Sequence, residues 1–504
     1  MSDFLPYIYY SLPWLVVIGL SLAAVAGIGV GIVWPRFLVY PYLLVFFWVN
    51  STSYGSLAVF ASRSIYSRGS GMLFFGVLLW YILGAWICAR VAAGFSATPS
   101  AALASGLQRQ HAPACNLRPW FLAWTVLLAC HVGAGLVAGV PLAESLAPSG
   151  FSNIVWMAPL ISLMLLAFRT REHALELARF IMLAGLARAL FGLGRWAVSG
   201  GDPNNVYANM NAIQIRLTFF DINDSLLCTM AFVIAAVALF GARQPERSTT
   251  WRVLEWSTLV ATALCVVLSY RRTAWIGFLL AFMVLLLRFP PGRRLQLTLA
   301  AMPLAGAAMA FVAARRLAQT RTAGEVGEVG KAGGGFLHDM QSRRFGPESE
   351  RVLELKLAFS DFLAHPLAGI GSWGRYHGYQ AISWQHNPDG GLFLHSGVLH
   401  IAVKSGLPGM ALLAGTIAAF VVFTRRALRS LPPELLGLGA AGAAGLAFMI
   451  PDLLIGTPFP QVRTTQMLAL CLSLPYLAMA AAQEAPAPAP AAWQGAPRHH
   501  LAPA

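Results

Sequence analysis

Two histidines and a lysine, His395, His400 and Lys404, stand in the stretch LHSGVLHIAVKSGLPG at the mouth of an apolar run. Imidazole changes charge near neutral pH, so either histidine is a candidate acid, base or metal ligand. On a helix a five-residue spacing turns the two side chains about 140° apart, too far for both to hold one metal ion. Paired helical ligands favour a spacing of four, as in HExxH, and no such motif or carboxylate cluster accompanies them. One of the two is therefore a candidate general base, set against the commoner role of a satisfied interfacial residue. Lys404 reads as interfacial.

Three arginine-bearing stretches add a second kind of chemistry. Arg216 lies in IRLTFFDINDSLL just before an apolar run, Arg271 and Arg272 fill a tight turn in LSYRRTAWIGFLL, and Arg188 and Arg195 are seven apart on one helix face. Arginine at membrane depth is costly unless it faces a cavity or an anion, and its planar fork suits phosphate or pyrophosphate. The bland alternative for each is a side chain reaching to lipid headgroups. The glycine-rich TRTAGEVGEVGKAGGG lacks the glycine spacing and the Ser or Thr of a phosphate loop, so it is not read as a nucleotide site. The six cysteines show no CxxC spacing, so no metal site or disulfide framework is expected. No cofactor is expected.

The elements that must position these groups are membrane helices. Of 504 residues 57% are hydrophobic and 11% charged, a balance that needs lipid as solvent. About twelve to thirteen apolar runs are long enough to cross hydrocarbon as helix, starting with 10–34 and 37–60 and ending with 407–424, 435–450 and 464–482. The fold class is thus all-α and polytopic, and the N-terminal MSDFLPYIYY reads as a retained helix rather than a signal peptide. A net charge of +15 reports orientation rather than nucleic acid, since the arginines fall in short loops. Arg243, Arg247 and Arg252, then Arg288, Arg293 and Arg294, then Arg425, Arg426 and Arg429 share one side, expected to be cytoplasmic, while early charges (Arg63, Arg68) fit less well. The opposite side carries 198–222, the Tyr270–Thr273 turn and the long segment 315–394. The organisation is then transmembrane helices over 1–314, a large loop over 315–394, the His395 helix and the last spans over 395–482, and an alanine- and proline-rich disordered tail over 483–504. Within the loop, Val352, Leu355, Phe359 and Phe362 recur at helical spacing, an amphipathic helix for the bilayer surface or the cover of a cavity.

The sequence also resembles the O-antigen ligase and O-antigen polymerase superfamily. His395-Ser396, nine residues, then Gly406-Leu407-Pro408-Gly409 matches its H[NSQ]x9Gxx[GTY] signature. SYRRTAWIG, RLTFFDIND and HPLAGIGSWGRY resemble its arginine turn, its R-L-x-G-x-F-x-N-x-N segment and its N/H-P-L-x-G-x-G-x-G loop, in the family's order over roughly residues 180 to 425. The chain departs from the family where Phe219 and Phe220 replace glycine, Asp224 replaces asparagine and Ile276 replaces leucine.

The resemblance implies a GT-C-like, metal-independent, inverting glycosyltransferase of the bacterial inner membrane with its active site facing the periplasm. Its donor would be a glycan on undecaprenyl pyrophosphate and its acceptor a sugar hydroxyl of lipid A core or another glycan. It assigns His395 as catalytic base and Arg272 and Arg216 to the pyrophosphate, with Arg271 and Arg188 as weaker candidates. Ser396, Asp389 and Tyr376 are supporting candidates. Ligase, polymerase and protein O-oligosaccharyltransferase share the donor and differ in acceptor. A transporter of lipid-linked sugar is the alternative from another class; it predicts an internal repeat and mid-membrane charges, and only Arg188 and His131 sit so deep.

Overall fold

The computed structural model describes residues 25–48, 77–95, 115–203, 216–241, 248–303, 347–386 and 390–483. The N-terminal residues read as a retained helix, Arg63 and Arg68, the glycine-rich stretch, Asp389, the C-terminal tail and most of the 297–314 run lie outside them. The described residues are helical throughout their regular structure, with no strand among them.

The helices that position the site are numbered here in chain order: α1 Arg118–Val137, α2 Arg171–Val198, α3 Ile222–Phe240, α4 Thr249–Val267, α5 Arg272–Leu286, α6 Pro347–Ala364, α7 Gly397–Ser430, α8 Pro433–Ile455 and α9 Val462–Ala482. All but α5 and α6 are long and apolar enough to cross a membrane, seven in all among the described residues. Val25–Val33 and Arg36–Trp48 make an eighth as one apolar pair bent by 111°. The sequence reading separated these two runs as independent spans. Pro35, which cannot continue the helix, turns one into the other instead. Leu78–Gly94, Ser152–Ala167 and α5 are shorter apolar helices. This is an all-α, multi-pass membrane protein.

Helix α3 is buried on nearly every side, packed against α2, α4 and α8, which suits a sequence that is apolar all round after its polar first turns. Small residues let its neighbours approach closely. A Cβ added to Gly442 of α8 would stand 2.5 Å from the Cys471 carbonyl of α9, and one on Gly277 of α5 would stand 2.3 Å from the Phe448 carbonyl of α8.

The packing sorts the helix ends into two groups. Thr218 donates its N–H to Leu268 (3.2 Å) and its hydroxyl to Cys265 (2.8 Å), so the segment before α3 meets the turn after α4. At the other end Arg293 donates to the Phe240 carbonyl (2.7 Å), and Arg288 lies within electrostatic reach of Arg425 and Arg429. Among the described residues, Arg288, Arg293, Arg425 and Arg429 are thus gathered on one side and the segments before α3 and after α4 on the other, while Arg243 and Arg247 lie outside the described residues.

α7 begins ten residues before the apolar run expected at 407–424. Ser396 caps it, its hydroxyl accepting from Leu399 N–H at 3.3 Å. It continues through a break at Gly406 (φ +65°), where Leu407 donates to Pro366 (2.7 Å) rather than to its own helix. A Cβ at 406 would stand 2.6 Å from that same carbonyl, so glycine is required by both the turn and the contact.

α6 is an amphipathic helix, as the apolar periodicity predicts, but its orientation is the reverse of a lid over a cavity. Its packed face carries Glu354, Ala358 and Asp361, all buried, while Val352 and Phe359 are exposed. Polar side chains with designated partners hold it in place, beside a small apolar cluster of Ala358, Leu357 and Phe362 with Tyr376, Ile382 and Leu394.

Candidate functional site

His395 lies one residue before the α7 cap, and Glu354 of α6 holds it. One carboxylate oxygen, Oε2, accepts from the His395 backbone N–H (3.1 Å) and faces its ring Nδ1 (2.9 Å). The other, Oε1, accepts from the Gln385 amide (2.9 Å) and the Tyr376 hydroxyl (3.4 Å). A carboxylate has no proton to give, so Nδ1 carries the hydrogen and Nε2 is the basic nitrogen. Trp384 and Phe393 flank the ring edge-on at 5.5 and 5.8 Å. The imidazole is about one-quarter exposed while Glu354 is fully buried. Burial alone would raise the Glu354 pKa, but the hydrogen bond and charge of His395, helped by Gln385, outweigh it and hold the carboxyl below its usual range. Burial, and then the adjacent Glu354 charge, push the Tyr376 hydroxyl well above its ordinary value, so it stays a neutral donor.

The same helix organises the rest of the cap. Glu350 accepts from the Ser383 N–H (3.0 Å) and hydroxyl (2.7 Å), and Asp361 accepts from the His377 N–H (2.6 Å) and faces its Nδ1 (2.9 Å). Glutamates 350 and 354 and Asp361 share one helix face. The residues that hold the cap and the histidine were therefore written in SERVLELKLAFSD, at spacings of four and seven. Sequence reading looked there only for apolar periodicity and missed them. Of the three supporting candidates, Tyr376 touches Glu354 rather than the imidazole, Ser396 caps α7, and Asp389 lies outside the described residues.

Of the remaining titratable groups of the opening stretch, Lys404 fastens the cap to α7 and His400 ties α7 to the segment around Gly150. His400 pairs with the Gly150 carbonyl through Nε2 (3.0 Å), and Lys404 donates to the Gly374 carbonyl; both are fully buried. Lys404 is thus interior rather than interfacial, because the loop 365–375 folds over it. Ser372 donates to Ser145 (2.8 Å), completing the attachment.

The arginines divide into two groups. Arg188 is fully buried, paired with Asp224 (3.1 Å) and stacked on Phe219 (4.4 Å to the ring centre). Arg463 of α9 pairs with the same Asp224 and with Asp221 (both 2.7 Å) and donates to the Phe46 carbonyl (2.7 Å). Asp224 is the shared counter-charge of two arginines, and Phe219 supplies the ring on which Arg188 stacks. Arg463, which sequence reading passed over, is the centre of this network. Its signal was a lone arginine at the start of an apolar run, a pattern common to many end-of-helix arginines.

Arg271, Arg272 and Arg216 belong to the second group, at the rim. Arg271 donates to the Phe220 carbonyl and lies over the Phe220 ring (5.2 Å). Its turn is held open by Tyr270 in the left-handed region (φ +52°). Arg272, half-buried, opens α5, and Arg216 is exposed, with its carbonyl accepting from Trp196 (3.2 Å). Asp452, at the last turn of α8, joins the two halves. Its buried carboxyl lies within electrostatic reach of Arg271, Asp221 and His395. Sequence reading missed it too, although a carboxylate inside the apolar AFMIPDLLIG is a functional-site candidate by its cost alone.

The fold and this site define a multi-pass membrane protein that gathers a carboxylate-held histidine, a buried carboxyl and rim arginines at one end of its helix bundle. Residues 257–414 match the family model described as O-antigen ligase, and that segment is similar to the O-antigen ligase and polymerase superfamily. The matched segment runs from α4 through the arginine turn, the cap and His395 to the first half of α7. It supports an O-antigen ligase/polymerase-like function, that of a glycosyltransferase-type enzyme. No curated protein matches the chain.

Proposed function

We propose that this protein transfers a glycan from undecaprenyl pyrophosphate to an acceptor hydroxyl, with inversion, at the periplasmic face of a bacterial inner membrane. The observation that carries the reading is the His395–Glu354 pair, which fixes the tautomer and leaves Nε2 as the base, with Asp452 in electrostatic reach of both His395 and Arg271. In the transfer step the acceptor hydroxyl gives its proton to Nε2 as its oxygen bonds to the anomeric carbon. The bond from that carbon to the pyrophosphate oxygen breaks, and the leaving group departs with the electron pair. Arg272, Arg271 and Arg216 are the groups proposed to hold that pyrophosphate and offset its growing charge. Because pyrophosphate already leaves readily, this chemistry requires no metal or cofactor. Glu354 stabilises the imidazolium as it forms, and Asp452 balances the nearby arginine charge.

Arg188 contributes differently in this reading. Its guanidinium is committed to Asp224, so it shapes the segment that carries Arg216 and Phe220 rather than gripping the donor. Arg272→Ala is expected to raise the donor KM or lower kcat in a folded protein, whereas Arg188→Ala is expected to lower the yield of folded protein.

Lipid A core is the preferred acceptor class. A strain without the gene is expected to accumulate long glycans on the lipid carrier with none on lipid A core. Single repeat units accumulating instead would make the protein a polymerase, and loss of glycan from proteins alone would make it a protein O-oligosaccharyltransferase. Purified His395→Ala in vesicles should show no transfer. Full activity in that variant would sink the assignment of His395.

A further inference from the structure

We propose that α6 is an interfacial helix whose apolar stripe is sunk into the lipid leaflet on the side of the site, so that the bilayer itself positions the cap. At about 100° per residue, Val352, Phe359 and Leu363 fall within an arc of roughly 40°, while Glu354, Ala358 and Asp361 fall on the opposite side. The structure bears out that division. The three apolar side chains are between 52% and 61% exposed, and the opposing three are buried. Single exposed apolar residues are ordinary on protein surfaces, but an aligned stripe backed by a fully hydrogen-bonded face is a surface built to be covered.

Lipid is the occupant because the stripe runs into the lipid-facing surface of a membrane span. The chain leaves α6 through Leu367, which is 75% exposed, and Pro366 accepts from Leu407 N–H (2.7 Å). Leu407 is the first strongly exposed apolar residue of α7, after a largely buried stretch from Gly397 to Gly406. Leu363, Leu367 and Leu407 thus make a continuous apolar border from α6 to the span. The cap also rests on the end of α1, where Gly135 packs against Trp373 and the terminal Val137 is almost fully exposed. Both attachments put the cap at the level where the spans leave hydrocarbon. Lys356, exposed at the edge of the stripe, can lie along the apolar surface and carry its ammonium to anionic headgroups, as expected of an interfacial helix.

The consequence is positional. Because the inner face of α6 holds His395 through Glu354, burial of the outer face in lipid fixes the height of the histidine above the membrane. This docking does not depend on the transfer chemistry proposed above, and its test is independent of activity.

The full chain, with Cys115→Ser and Cys130→Ser, is labelled with bimane at Phe359→Cys, Leu363→Cys, Leu407→Cys or His377→Cys. Each protein is reconstituted in phosphatidylcholine–phosphatidylglycerol vesicles with or without dibrominated phosphatidylcholine. Quenching at 359 and 363 is expected to approach that at 407 and to exceed that at 377, an exposed site on the cap, by at least about twofold. Val352→Cys serves if either stripe variant fails to reconstitute. No quenching at the stripe positions, with 407 quenched, overturns the proposal. In that outcome, protection of the stripe from a water-soluble thiol reagent would assign the surface to a second copy or another protein.

Discussion

Replacing Glu354 by glutamine keeps the shape of the side chain and removes its charge; with the amide oxygen toward His395, its NH2 replaces the oxygen that accepts from Gln385 and Tyr376, so that side of the contact is lost as well. The amide oxygen can still accept from the His395 N–H and Nδ1–H, now 3.1 and 2.9 Å from Oε2. A hydrogen bond to a charged group contributes about 1.5–3 kcal/mol and a neutral one about 0.5–1.5, so two such bonds lose about 2 kcal/mol in all. That loss falls on the imidazolium formed during transfer and corresponds to a roughly thirtyfold drop in kcat, at 1.36 kcal/mol for each tenfold. Glu354→Ala also leaves Gln385 and Tyr376 without their shared acceptor and is expected to approach the inactivity of His395→Ala. The assay is initial-rate transfer by purified protein in vesicles, with donor concentration varied. The donor KM of the glutamine variant should hold within about twofold, since the carboxylate does not touch the pyrophosphate in this scheme. A folded Glu354→Gln protein with kcat within about threefold of the parent would refute the positioning role.

The depressed Glu354 pKa also sets a direction with pH. Its contribution to holding the cap is fully present above the ordinary glutamate value of 4.5 and is lost as pH falls below it, through the lowered folded value. Protease sensitivity of 347–395, followed from about pH 6 to pH 3, should rise on that limb, and Glu354→Gln should flatten the rise. Asp224→Asn leaves the buried Arg188 and Arg463 without their shared charge. Unfolding in detergent should show a loss of about 3 kcal/mol, and unchanged stability would mean the network is not what it seems from its distances. Gly406→Ala places a Cβ against the Pro366 carbonyl and forces a left-handed alanine costing about 1–2 kcal/mol. Transfer should fall at least about tenfold with the protein still inserted, and a fully active variant would show that the break in α7 is not needed.

The sequence by itself determined the class of structure and the two-sided arrangement. Apolar runs of membrane-spanning length and clustered arginines are local, additive signals, and lipid enforces them one run at a time. His395 was legible because it sits in a signature of fixed spacing, and the arginine turn because Arg271 and Arg272 leave almost no loop between two spans. Only the tertiary structure decided which charges are committed and which stand at the rim. Arg188 and Arg271 look alike as letters, yet one is closed in by Asp224 from another helix while the other lies at an open turn beside Phe220. The partner of His395 lies forty-one residues earlier, on a helix whose apolar periodicity drew the eye to the opposite face. Asp452 comes within electrostatic reach of His395 and Arg271 only because of where α8 ends relative to the starts of α5 and α7. Such pairings depend on how helices pack in three dimensions, and no spacing along one chain encodes them.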